Sequence, residues 1–470
     1  AGVLCLGVGY SISLRLQSPF SIEKLLEVTI AIALVIIATY LLFIAGSVAL
    51  CKLLKKNKKY YYQPKHFISV SSMMYRMKRN GAGLASICIL STMVLVILST
   101  TVCMYAGTED SLNQRYPRQM MVTLDTAEQE EGSQAKEHID QILSSYQTEG
   151  ENPLFYRYYT VAGGFEKDQI QMVFDSEETS KNTLCLINFL PLEDYNRMTG
   201  ETITLQEKEL LLYTSKFDYL QEQITLGRWG TFAVKEVLED FFNKSADVFM
   251  MAPIFHIILS DEAFAHIHKE FSAYPMKETA TLTGNTLYAF DTSLSAKQQV
   301  EVYKALEGWK QQWYSNTSSW EIPIRIQARV IDQEDFYGVY GAILILGIFL
   351  SIVFLLGQIL TMYYKQVTEG YEDQARYTIL QKVGMSQKEI KKTINAQILL
   401  TFFLPLGFAG IHLLAAFNLI AKVLELVGLV DVVLLAKVAG IAYIIFGIFY
   451  ALVYRFTSKV YYQIVSQEEM

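Results

Sequence analysis

His266 and His268, in "AFAHIHKEF", are the pair whose type and spacing most suggest metal chemistry. Two positions along a helix turn the side chain by roughly 200°, so the rings diverge and cannot share an ion; a structural role is expected. Five cysteines give no better framework. Cys5, Cys51, Cys88 and Cys103 fall in or at the ends of apolar runs, Cys185 stands alone in a long polar stretch, and no CxxC pair suggests zinc or redox work. The phosphate-cradling GxxxxGKS/T loop, HExxH and GxSxG do not occur in the chain. No catalytic residue, cofactor or metal is therefore assigned. What is left is a charged strip, "GYEDQARYTILQKVGMSQKEIKK" (370 to 392), set between long apolar runs.

Within the strip Tyr371, Ala375, Ile379, Leu380 and Val383 recur at helical spacing as an apolar face, while Glu372, Asp373, Arg376 and Lys382 lie off it. Glu369, Glu372 and Asp373 stand at its start, where the helix dipole favours acids, and Gly384 can take the left-handed conformation that ends a helix. Ser386 and Glu389 have the spacing of a capping box that starts a second helix. A short helix, a sharp break and a helix running into the next apolar run make a lever. Its apolar face needs a docked partner or a lipid surface to cover it.

The elements that position this lever belong in a membrane. The chain has 470 residues, 51% of them hydrophobic, too apolar for an ordinary soluble protein and too long for one compact domain. Runs 26–51, 82–106, 336–364, 393–421 and 432–454 can each cross about 30 Å of hydrocarbon as helices. The opening 1–12 is half a span and reads as the end of a truncated membrane helix. Segment 52–81 carries Lys52, Lys55, Lys56, Lys58, Lys59, Lys65, Arg76, Lys78 and Arg79 with no acid, which makes it a basic cytoplasmic loop with an interfacial helix. Its mixture of lysines and tyrosines beside a span fits lipid headgroups better than nucleic acid, and no nucleic-acid partner is expected. Alternation of the spans then puts 107–335 outside, 365–392 inside as a coupling hairpin, and 455–470 inside as a tail.

Segment 107–335 holds 37 acidic against 19 basic residues, a net charge of −18, while the whole chain carries −7. About 230 residues between spans exceed any connecting loop and must fold as a domain. "QMMVTLD", "LFYRYYTVA", "QIQMVF", "KELLLYT", "TFAVKEV", "VFMMAPIFHIIL", "NTLYAFD" and "PIRIQARVI" read as strands. "AEQEEGSQAKEHIDQILSSY", "LEDYNRMTG", "DEAFAHIHKEF" and "SAKQQVEVYKALEGWKQQW" have helical spacing. The expected architecture is an α-helical polytopic membrane protein, five full spans plus a partial one, with a large α+β extracellular domain. Its acidity can steer a cationic peptide, or simply keep an exposed domain soluble.

The motifs "FISVSSMMYRMKRNGAGLASICILST", "LEDYNRMTG" and, most specifically, "YYKQVTEGYEDQARYTILQKVGMSQKEIKKTINAQILLTFFLPLGFAGIHLL" resemble the FtsX-like permeases of ABC transporters, in particular the bacitracin-type (BceB-like) antimicrobial-peptide resistance permeases of Gram-positive bacteria. The resemblance covers nearly the whole chain and implies that earlier membrane helices precede it. It further implies a partner ATPase dimer, on which ATP is hydrolysed, contacting Glu369, Tyr371, Glu372, Arg376, Ile379, Leu380 and Gly384. A companion sensor histidine kinase, a plasma-membrane location, and release of lipid-linked pyrophosphate precursors from peptide antibiotics are implied with it; the substrate-binding residues remain unassigned. Two other activities fit such a permease: a mechanotransmission scaffold acting on a cell-wall hydrolase, and export of a drug or lipoprotein. Small residues Gly341, Gly347, Gly357, Gly407 and Gly410 suit close helix packing, and Gln358, Pro405 and His412 interrupt apolar runs as functional or packing elements.

Overall fold

The computed structural model describes residues 1–15, 22–46, 64–172, 183–245, 252–272, 282–316, 322–382, 387–425, 427–429 and 431–466, with the isolated positions 49 and 56. Among them, five helical segments are long and apolar enough to cross a membrane by length and composition. Helix α1 (Gly2–Arg15) packs on α2 (Ile22–Leu41), which continues into a π-helical turn, Leu42–Gly46. Next comes α3 (Pro64–Ala106), a single helix that already runs through the stretch expected to hold a separate interfacial helix. After the large domain the chain forms α9 (Arg329–Lys382), α10 (Gln387–Glu425) and α11 (Val432–Ser466). These helices share one core, in which Leu84, Ile87, Leu95, Phe402 and Tyr450 are almost fully buried.

Of the five glycines suited to close packing, two sit where a side chain would collide. A Cβ on Gly347 would lie 2.6 Å from Thr101 Oγ1, and one on Gly410 would lie 2.9 Å from the Tyr443 ring. Gly357 and Gly407 face open space.

The large domain begins with α4 (Thr108–Arg115) and carries ten strands in one sheet: β1 (Met120–Leu124), β2 (Glu151–Glu166), β3 (Gln169–Met172), β4 (Thr183–Pro191), β5 (Glu209–Thr214), β6 (Gln223–Leu226), β7 (Thr231–Val237), β8 (Ile254–Leu259), β9 (Leu282–Asp291) and β10 (Ile324–Ala328). Helices α5 (Gln129–Ser145), α6 (Leu192–Thr199), α7 (Asp261–Ser272) and α8 (Ala296–Asn316) are inserted between them. The order β10-β1-β9-β2-β3-β6-β7-β5-β8-β4 does not end at β4, because β4 also pairs with β2. The plain α+β expectation is corrected here: helices are present, but the strands from β2 round to β4 close on themselves like a barrel. The cause is the length of β2, whose one edge serves first β9 and then β3 while its residues 159–165 pair with β4. Closure removes two free sheet edges and encloses a core of its own, including Phe189, Leu210, Phe255 and Ile257. Strand β8 is buried at every position, as an uninterrupted apolar run requires when both faces are covered.

Beside the barrel, β9, β1 and β10 carry α5 and α8 on one face. Strand β10 was expected to run on through Val330 and Ile331; the chain instead turns helical at Arg329, with no linker between strand and membrane helix. Arg329 N still donates to Gln119 O at 2.8 Å, one step beyond the β1–β10 ladder.

Candidate functional site

Helix α9 spans 54 residues, which at 1.5 Å per residue is about 80 Å, far more than a bilayer core needs. The charged strip was expected to open with a short helix of its own. Its first half is instead the last part of α9, because nothing between Tyr364 and Lys382 breaks the helix: there is no proline, and Gly370 is tolerated inside it. The intended break at Gly384, with Val383 and Ser386, lies outside the described residues. Helix α10 starts at Gln387.

Along the arm of α9 beyond Tyr364, Glu369 is 3% exposed, Tyr371 64% and Ile379 62%. Glu372 is exposed as well. Arg376 and Leu380 lie in the helix, and their side chains, like that of Ala375, are not described. Asp373, which sequence reasoning placed off the apolar face and did not assign to coupling, is buried and accepts a hydrogen bond from Tyr461 of α11 at 2.7 Å.

At its other end α9 is tied to the foot of the large domain. Glu109, in the first turn of α4, accepts from Arg329 and from Tyr337 Oη (3.3 Å). Tyr116 Oη donates to Asp332, and burial followed by that carboxylate holds the phenol above its usual range. Arg115 lies over Phe336, 5.4 Å from the ring centre. The turn between α10 and α11 reaches the same foot: Ser111 Oγ (3.0 Å) and Tyr340 Oη (3.2 Å) both donate to the Val427 carbonyl.

The polar residues of the apolar runs are mostly engaged. Gln358 Nε2 donates to Ser91 Oγ at 3.1 Å. His412 is hydrogen-bonded with Tyr10 at Nδ1 (2.5 Å) and with Thr39 at Nε2 (3.1 Å), beside an apolar cavity of about 280 Å³ between α1, α2, α3 and α10. In the large domain the divergence of His266 and His268 has a concrete form. His268 bonds Tyr159 and sits 3.4 Å from Glu128, whereas His266 lines a separate cleft with Trp229 and Glu270. No group of metal-ligating side chains occurs among the described residues. Cys185 is 2% exposed in β4, and burial pushes its thiol up to about 12, which makes it inert.

The "LEDYNRMTG" motif proves to be a structural joint. Asp194 of α6 is fully buried and accepts from Arg157 N (2.8 Å), Arg157 Nε (3.2 Å) and Arg197 (2.5 Å), binding α6 to β2. Gly200 ends the helix at φ +76°, where a side chain would be strained.

No protein-family model matches the chain. It is 24% identical to the ABC transporter permease YvcS of Bacillus subtilis over 99% of its own length and 68% of the relative's. Identity to the B. subtilis ABC transporter permease YxdM is 22%, over 89% and 61% of the two chains. Identity to the bacitracin export permease BceB of Halalkalibacterium halodurans is 23%, over 86% and 59%. The chain is a homologue of BceB-like ABC transporter permeases. It thus spans about three-fifths of two of these relatives and 68% of the third. In this permease homologue, Glu369, Tyr371, Glu372, Arg376, Ile379 and Leu380, which sequence reasoning assigned to coupling, lie on α9, the same helix whose first residue, Arg329, is bonded to Glu109 at the foot of the large domain.

Proposed function

We propose that the chain is the permease part of an FtsX-like ABC transporter in the plasma membrane of a Gram-positive bacterium. A separate ATPase dimer docks on the α9 arm and hydrolyses ATP. The movement passes along α9 to the large domain, outside the cell, and frees lipid-linked pyrophosphate precursors from peptide antibiotics. A sensor histidine kinase gauges this activity. The observation that carries the reading is the uninterrupted α9: Arg329 at one end is bonded into the domain's foot, and Tyr371 and Ile379 near the other end present exposed apolar side chains. Apolar groups held in water on a cytoplasmic arm favour a docked partner over an open surface. BceB-named relatives support the peptide-antibiotic cargo.

The test is co-purification of a partner ATPase with the permease. Ile379→Asp and charge reversal at Glu372 or Arg376 are expected to lower the retained ATPase about tenfold, as for centrally placed interface residues. Unchanged retention with unchanged resistance contradicts the docking role.

A further inference from the structure

The arm of α9 is built inside out. An exposed amphipathic helix normally buries its apolar residues and shows its acids to water. Here Tyr371 and Ile379 are exposed, whereas Gln366 (1% exposed), Glu369 (3%) and Asp373 (6%) are buried at three- and four-residue spacing on another face. That face meets the end of α11. Tyr461, fully buried, donates to Asp373 Oδ2 at 2.7 Å, and Thr457, Ser458 and Val465 are buried one turn to either side of it. Between the two carboxylates stands Gly370, where a Cβ would lie 3.3 Å from both Cβ and Cγ2 of Ile464. The helices approach closely enough there that a side chain would have to push Ile464 aside by a few tenths of an ångström.

Burying carboxylates costs free energy that a leucine at the same place would not, so this contact is not the most stable one available. Neither polar end of the Gln366 side chain has a hydrogen-bond partner, a further cost on the same stripe. What a directional hydrogen bond supplies, and an apolar contact does not, is a fixed rotation and register of one helix against the other.

We infer that Tyr461 and Asp373 are positioning residues of the coupling arm: the end of α11 is a splint that sets the direction in which α9 presents Tyr371 and Ile379. The inference rests on the reading of α9 as the coupling helix. It adds the last helix of the chain to the coupling machinery. Neither residue needs to touch the ATPase; both act through the arm.

The experiment uses the full-length permease in a cysteine-free background, spin-labelled at Ile379→Cys and Lys459→Cys. Tyr461→Phe removes one oxygen and Asp373→Asn keeps an acceptor, so neither threatens folding. The parent and Asp373→Asn should give one narrow label–label distance, and Tyr461→Phe and Asp373→Ala at least about a doubling of its width. In the co-purified transporter without labels, Ile379 and Lys459 being kept, those two variants should keep the bound ATPase but lower ATP turnover about fivefold, the double variant Asp373→Ala/Tyr461→Phe no more than either alone. A merely structural contact would lower yield without this non-additive loss at constant ATPase binding. Unchanged distance widths, or losses that add, overturn the inference. If the parent retains no ATPase at all, the coupling reading fails by itself, and the distance measurement still decides whether the splint exists.

Discussion

Thr368→Pro is expected to leave the permease inserted and folded but, if the proposed function holds, to reduce protection against a peptide antibiotic to that of cells lacking the protein. Thr368 lies in α9 at the start of the arm, exposed, with its hydroxyl bonded only back to the Tyr364 carbonyl (2.9 Å). Proline there removes the main-chain bond to Tyr364 and forces the ring against that carbonyl, which costs about 3 kcal/mol or more and kinks the helix. Because the position belongs neither to the foot of the domain nor to the face against α11, the kink breaks the line between them without dismantling either. The measurement is growth inhibition in a deletion strain complemented with the variant, membrane content being checked by immunoblot. Thr368→Ala serves as control and should protect like the parent.

Asp194→Ala should have the largest effect on stability. The carboxylate is fully buried and answers three donors, two from Arg157 and one from Arg197. Truncating it leaves the Arg157 guanidinium, itself largely buried, without its counter-ion, a loss of about 3–5 kcal/mol. In a domain of this size that lowers the thermal midpoint by about 10 °C. All four tryptophans of the chain fall within the large domain, so intrinsic fluorescence of the whole protein follows this unfolding directly. Glu193→Ala, one residue away and exposed, should shift the midpoint by no more than a degree or two, as for ordinary surface substitutions.

The sequence made some of this legible and hid the rest for identifiable reasons. Strongly alternating or uniformly apolar runs such as "KELLLYT" and "VFMMAPIFHIIL" contain the strands β5 and β8, and the helical spacing of "SAKQQVEVYKALEGWKQQW" matches α8. Strands β4, "TLCLINFLP", and β6, "QITL", were not among the runs read as strands. Barrel closure could not be read at all: it depends on one long strand, β2, pairing with β9 and β3 along one edge and with β4 along the other. In the arm, periodicity picked out Tyr371 and Ile379 as one apolar face. It could not tell that this face would be left outside and that Glu369 and Asp373 would turn inward, because the tyrosine that answers Asp373 lies 88 residues further along. Reading "ARVI" as strand failed at Arg329 for a similar reason, since the tie to Glu109 holds the first turn of α9.

The account depends most on α9 carrying the large domain and the arm on opposite sides of the membrane. Labelling of intact cells with a membrane-impermeant maleimide tests this, comparing Leu220→Cys, 86% exposed on the large domain, with Ile379→Cys on the arm. Leu220→Cys should label in intact cells and Ile379→Cys only after permeabilisation. Labelling of both from outside would contradict the account.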